Sequence, residues 1–159
     1  MTNYRPEGYT TLTPMLVVTD GSAAIDFYEK VFGAKVAASM TGPDGTVLHA
    51  ELELEDGRFQ VMDANPAYRM VGLDRDNDDV PYSLTIYVRD CDATTSQAVE
   101  HGATVREQPD DFEVTGDRFA SIRDPFGVRW TIMTRTAERT DEEIQAGFDE
   151  FMKAMTEQG

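Results

Sequence analysis

A near-repeat about 70 residues apart constrains this chain more than any other feature. Residues 13–36, TPMLVVTDGSAAIDFYEKVFGAKV, run parallel to residues 83–105, SLTIYVRDCDATTSQAVEHGATV. Val18 falls on Val88 and Asp20 on Asp90, an offset of 70. After a one-residue deletion, Gly33-Ala34-Lys35-Val36 fall on Gly102-Ala103-Thr104-Val105, an offset of 69. The offset returns to 70 in the hairpins that follow, where Ala50 falls on Ala120 and Gly57 on Gly127. Each copy reads strand, helix, strand, strand, strand. Self-similarity at a fixed spacing marks one supersecondary unit used twice.

Local chemistry agrees with this division. Leu12, Pro14, Leu16 and Val18 alternate with Thr13, Met15 and Val17, and Leu84, Ile86 and Val88 alternate with Ser83, Thr85 and Tyr87, the period of a strand. Ala24, Phe27, Tyr28, Val31 and Phe32 lie at helical spacing over about 21–32, with Gly33 as the stop. A second helix is expected over about 92–101, with Asp92 as candidate cap, Ala98 on its buried side and Gly102 as its stop. Asp56-Gly57 and Asp124-Pro125-Phe126-Gly127 are turn signals between strands. The units are therefore placed at residues 8–64 and 81–134. Residues 65–80 form a linker and candidate lid, whose Tyr68, Met70, Val71 and Leu73 are able to fold over a site. Residues 139–157 carry a C-terminal amphipathic helix. Thr140 and Glu143 make a capping box, and Ile144, Phe148, Phe151, Met152 and Met155 make an apolar stripe that suits docked core or a dimer surface.

Bulk properties set limits on function. Thirty acids against 14 bases give a formal net charge of −16, which repels nucleic acid and anionic lipid and suits a cationic ligand. The single cysteine, Cys91, excludes an internal disulfide and fits a reducing compartment. The N-terminus has no apolar signal core, and no apolar run approaches the roughly 18 residues of a membrane span. The expectation is a cytoplasmic chain.

Two tandem βαβββ units resemble the vicinal oxygen chelate superfamily, which includes glyoxalase I, extradiol dioxygenases and bleomycin-resistance proteins. The stretches TPMLVV, AIDFYEKVFGAKV, DGTVLHAEL and TGDRFASIRDPFGVRW carry the resemblance over about residues 8–134, and are most similar to the PhnB-like branch. The resemblance implies an α+β fold: two βαβββ modules forming a curled mixed sheet around a concave site, side by side in one chain or exchanged across a homodimer. It also implies metal ligands on the first and last strand of each module. Those positions fall on Thr13, Val61, Ser83 and Thr131, none of which is a usual divalent-metal ligand. A one-residue slip offers Gln60. The favoured expectation is a member without metal or other cofactor that binds a small organic molecule, with a cationic one among the candidates; the alternative is a lyase, isomerase or dioxygenase that uses a displaced metal or His49–Glu51 acid–base chemistry.

If the apolar strand parity (Leu48, Ala50, Leu52 and Leu54 in one hairpin) packs on the helices, the opposite parity lines the hollow. That places His49, Glu51, Glu53, Phe59, Val61 and Asp63 on it from the first module. Thr13, Met15 and Ser83 join them. From the second module come Tyr87, Phe119, Ser121, Arg123, Arg129, Thr131 and Met133. A mixed wall of aromatics, Met and a few polar groups is typical of a small-molecule site. His49 beside Glu51 is the candidate acid–base pair, and His49, Glu51 and Asp63 are a candidate displaced metal set. Arg123 and Arg129 are candidates to hold a carboxylate or phosphonate. Arg118 is expected in an ion pair, Trp130 in the core, His101 at a helix end, and Cys91 is not expected to act as a nucleophile.

Overall fold

The computed structural model describes residues 4–157. In the first module they form β1 (Met15–Val18), α1 (Gly21–Phe32), β2 (Lys35–Thr41), β3 (Val47–Glu53) and β4 (Arg58–Asp63). The second module comprises β5 (Leu84–Tyr87), α2 (Cys91–Glu100), β6 (Thr104–Phe112), β7 (Asp117–Arg123) and β8 (Arg129–Arg135), and α3 (Asp141–Glu157) follows it. A single 3-10 turn, Pro66–Tyr68, lies in the linker.

The two modules repeat one topology. The strand order is β1-β4-β3-β2 in the first sheet and β5-β8-β7-β6 in the second. β1 runs parallel to β4 and β5 parallel to β8, while the remaining pairs are antiparallel. A parallel pair requires a crossover, and α1 and α2 supply it. The result is the expected α+β fold of two tandem βαβββ modules, each contributing one four-stranded mixed sheet.

Both helices start on an aspartate. Asp20 Oδ1 accepts from Ala23 N at 3.0 Å, and Asp90 Oδ1 accepts from Ala93 N at 2.9 Å. Asp90 thus caps α2 in place of Asp92, which lies in the first turn and pairs with Arg118. α1 ends at Gly33, whose φ of 65° is left-handed and open to glycine without strain. At α3, Thr140 and Glu143 exchange hydrogen bonds: Thr140 N donates to Glu143 Oε2 at 2.8 Å, and Glu143 N donates to Thr140 Oγ1 at 3.2 Å.

The hairpins differ by one residue. Glu53 opposes Arg58, leaving 54–57 between them, whereas Arg123 opposes Arg129, leaving 124–128. The offset in the last strand is therefore 71, not 70. Gln60 sits opposite Met15 and Thr131 opposite Thr85, so Gln60 is the counterpart of Thr131. The slip reverses the expected face of β4. Phe59 and Val61 were expected on the hollow; both are buried, with Val61 sharing a face with Leu16 and Ala50. A one-residue register change moves every side chain to the other side of a sheet.

The core lies between the helix-facing sides of the sheets. Leu16, Val18, Ala50, Leu52 and Val61 meet Ala24, Phe27, Tyr28 and Val31 from α1; Ala120, Ile122, Trp130 and Ile132 meet Cys91 and Ala98 from α2. The modules share this core. Trp130 lies 4.7 Å from the Phe32 ring, 5.6 Å from Tyr28 and 6.3 Å from Phe59, mostly edge-to-face. Leu48, expected with the helix-facing set, is half exposed, because the β2–β3 ladder shifts register between Met40 and Thr41. The α3 stripe stays partly exposed, and Phe151 reaches Phe112 at 5.9 Å. In the linker Leu73 packs on the core, while Tyr68 and Val71 stand in solvent.

Candidate functional site

Because the helix-facing sides of both sheets turn inward on one core, their opposite sides turn outward. The two halves of the expected hollow therefore look away from each other within one chain. On the first module this outer side carries His49, Glu51, Glu53, Arg58 and Gln60, with Met15 and Met40 beside them. The second module presents Tyr87, Phe119, Ser121, Arg123, Arg129, Thr131 and Met133.

On the first module the polar groups are already joined. His49 Nε2 lies 3.6 Å from Glu51 Oε1. Arg58 Nη1 donates to Glu51 Oε2 at 3.3 Å, and its Nη2 donates to Glu53 Oε2 at 2.8 Å. The segment before β1 folds across this face. Arg58 stacks over the Tyr9 ring at 5.2 Å, and the Tyr9 hydroxyl donates to Glu51. That hydrogen bond, helped by His49 and Arg58, holds the Glu51 carboxyl below its usual value, against the opposing effect of burial. Glu51 is thereby kept as an anion beside His49. Next to it, a cleft of about 490 Å3 is lined by Glu7, Tyr9, Thr10, Glu53, Asp56 and Arg58.

Arginines dominate the second module. Arg129 Nε donates to Ser121 Oγ at 2.6 Å, and its Nη2 lies 3.6 Å from Glu107. Arg123 is only 5 % exposed and donates from Nη1 to Asp78 Oδ1 at 3.0 Å and from Nη2 to the Asp74 carbonyl. Arg106 pairs with the same Asp78 oxygen. The acidic part of the linker therefore lies against this face. Phe119 contacts Phe112 at 6.3 Å, which in turn contacts Phe151, so α3 reaches the outer end of the face. A further cleft of about 580 Å3 opens beside β5, between Phe32, Leu54, Thr85, Tyr87, Val88 and Arg89.

Several expected roles change. Phe59 leaves the candidate site for the core. Asp63 cannot join His49 and Glu51 around a displaced metal, because it lies on the helix side and accepts from Gly21 N and Val47 N, each at 2.7 Å. Among the described residues, no group of three or more His, Cys, Asp or Glu is placed to hold a metal ion. Arg118 pairs with Asp92 and Asp111. Cys91 is buried, and burial pushes its thiol upward, away from the reactive thiolate. His101 sits at the end of α2, its Nδ1 2.9 Å from the Gln97 carbonyl. Tyr9, Arg58, Asp78 and Arg106 carry no strong sequence signal. Only Arg58 is readable in principle, from strand parity once the shorter hairpin is known.

Two βαβββ units with outward faces of this composition define a class of protein. A sequence model of the Glyoxalase/Bleomycin resistance protein/Dioxygenase superfamily matches residues 10–132, and the chain belongs to that superfamily. It is 36% identical over 152 residues to an uncharacterised protein of Mycobacterium bovis, covering 93% of each. TioX from Micromonospora sp. ML1 superposes with a TM-score of 0.61 at 22% identity, over 79% of this chain and 98% of that one. A gene product of Arabidopsis thaliana does so with a TM-score of 0.60 at 25% identity, over 78% and 98%. No helix among the described residues is long and apolar enough to cross a membrane.

Proposed function

We propose that this chain is a small-molecule-binding member of the superfamily that works without a divalent metal. Its ligand sits between the outer face of the first module in one copy and that of the second module in another. The outward direction of the two faces carries this reading: a homodimer with exchanged modules turns two open walls into one enclosed site. Met15, Met40 and Tyr87 support it, since each is large, apolar or aromatic, and 42%, 59% and 60% exposed. His49, Glu51, Tyr87, Phe119, Ser121, Arg123, Arg129, Thr131 and Met133 are the residues assigned to the ligand. At the family's metal positions, Gln60 and Thr131 offer neutral oxygens in place of imidazole or carboxylate. The net charge of −16 favours a ligand with a cationic group.

The test combines light scattering, elemental mass spectrometry after exposure to nickel, zinc, iron and manganese, and a thermal-shift screen of cationic and aromatic molecules. A dimer without retained metal that is stabilised by a hit supports the reading. A monomer, or near-stoichiometric metal with turnover, overturns it. The 3.6 Å approach of His49 to Glu51 favours a second reading, a lyase or isomerase using that pair for proton transfer. Any activity that survives His49→Ala intact removes it.

A further inference from the structure

Resting on the assignment of the second module's outer face to a ligand, we propose that Arg106 and Arg123 form an oxyanion subsite. Asp78 of the chain's own linker fills that subsite until the carboxylate or phosphate-like group of a ligand displaces it. The ligand class so defined is a small organic zwitterion, with an oxyanion at this arginine pair and the cationic group that the net charge favours elsewhere in the site.

Supply of acceptors is the first argument. Two guanidinium groups, each with five N–H donors, converge on one carboxylate oxygen, Asp78 Oδ1. Arg123 finds one more acceptor, the Asp74 carbonyl. The Nε atoms of both Arg106 and Arg123 are buried with no hydrogen-bond partner. A buried donor left unpaired is costly, so the pair is short of oxygens. A group with three oxygens matches the fork geometry of arginine better than the single atom Asp78 presents.

The second argument is the ease of displacement. Arg123 is held rigidly, on a strand and only 5 % exposed, whereas the Asp78 side chain is 68% exposed. Residues 71–80 have no helix or strand, and 74–79 are exposed throughout. Leu73 packs on the core and anchors the segment on its near side, so 74–78 are able to lift without unpacking the fold. The bulge in β6 between Val105 and Glu107 sets Arg106 out of the regular ladder, where it reaches the same oxygen as Arg123. An internal carboxylate on an arginine pair raises the threshold for a ligand: only an anion that out-competes it enters.

The experiment titrates inorganic phosphate into the 15N-labelled full chain at constant ionic strength, reading the arginine Nε–Hε signals. Wild type, Asp78→Asn, Arg106→Lys and Arg123→Lys are compared. The acidic surface keeps the affinity for free phosphate weak. The expected result is a selective shift of the Arg106 and Arg123 signals, several-fold tighter in Asp78→Asn and lost in Arg106→Lys. Should Arg123→Lys fail to fold, Arg106→Lys still reports, because Arg106 is the less buried partner. No selective shift in Asp78→Asn, or equal affinity in Asp78→Asn and wild type, overturns the subsite. If molecules from the thermal-shift screen bind while phosphate does not, the subsite fails and the binding function stands. If phosphate binds at this arginine pair and the screen gives no hit, the subsite stands and the binding function fails for the cationic and aromatic molecules tested.

Discussion

The Tyr28 hydroxyl donates a 2.8 Å hydrogen bond to Asp124 Oδ2, tying the first module's helix to the turn of the second module's last hairpin. The same carboxylate accepts from Trp130 Nε1, Phe126 N and Val128 N, each at 2.9 Å. A buried carboxylate survives only when its lone pairs are matched, and four donors match these. The DPFG turn is thus a joint between the modules as well as a hairpin.

Tyr28→Phe keeps the ring packing and removes one of those four donors. The expected cost is about 1–3 kcal/mol, from a buried acceptor left short. Urea unfolding followed by Trp130 fluorescence measures it; an unchanged midpoint contradicts the joint.

Asp124 should titrate late. Burial raises its carboxyl above the ordinary value of 3.8, with the Trp130, Tyr28, Val128 and Phe126 donors opposing. A carboxyl whose folded value is raised favours folding when protonated. Its contribution is therefore full below the unfolded value and is lost as pH rises through the folded one. Carboxyl-carbon NMR checks this: Asp124 titrates above 3.8, and a value at or below 3.8 refutes the direction.

Tyr9→Phe should move the Glu51 titration upward, since the Tyr9 hydrogen bond is the largest effect holding that carboxyl down. With Glu51 lowered in the fold, its contribution to stability is present above the unfolded value and lost as pH falls through the folded one. The variant narrows that window. Side-chain NMR of Glu51 is the readout, and an unshifted titration means the N-terminal segment does not lie on this face.

Gly116→Ala should destabilise the second module. Gly116 has a φ of 74°, and an added Cβ would stand 2.4 Å from the Ala137 carbonyl oxygen. Left-handed strain alone costs about 1–3 kcal/mol, and the clash adds to it. Thermal unfolding measures the loss, whereas Gly33→Ala, with open space around the same backbone conformation, isolates the strain.

Much of the architecture is legible in the sequence. Alternation in TPMLVV and SLTIYV, the stripe from Ala24 to Phe32 and the breakers at Gly33, Gly57 and Gly127 lie within single elements, where residue order and local chemistry suffice. The faces of β4 are not legible, because a hairpin one residue shorter inverts them and the sequence repeat hides that length in an otherwise constant offset. Phe59 lies in the core rather than on the hollow for this reason, and Gln60 is visible only as a slip. The cap of α2 is ambiguous in the sequence because Asp90 and Asp92 are equally good capping residues two positions apart.

The sequence by itself determined two βαβββ units, their helices, a capped C-terminal helix and a strongly acidic surface, since periodicity, turn chemistry and charge are properties of neighbouring residues. Tertiary structure decided which side of β4 is core, through the length of the hairpin before it. It also decided that the modules share that core through Tyr28, Trp130 and Asp124, and that Tyr9 and Asp78 lie across the outer faces. Those contacts join residues far apart in the chain, 96 positions in the case of Tyr28 and Asp124. They arise from the packing of two sheets around one set of aromatics, which no local pattern encodes.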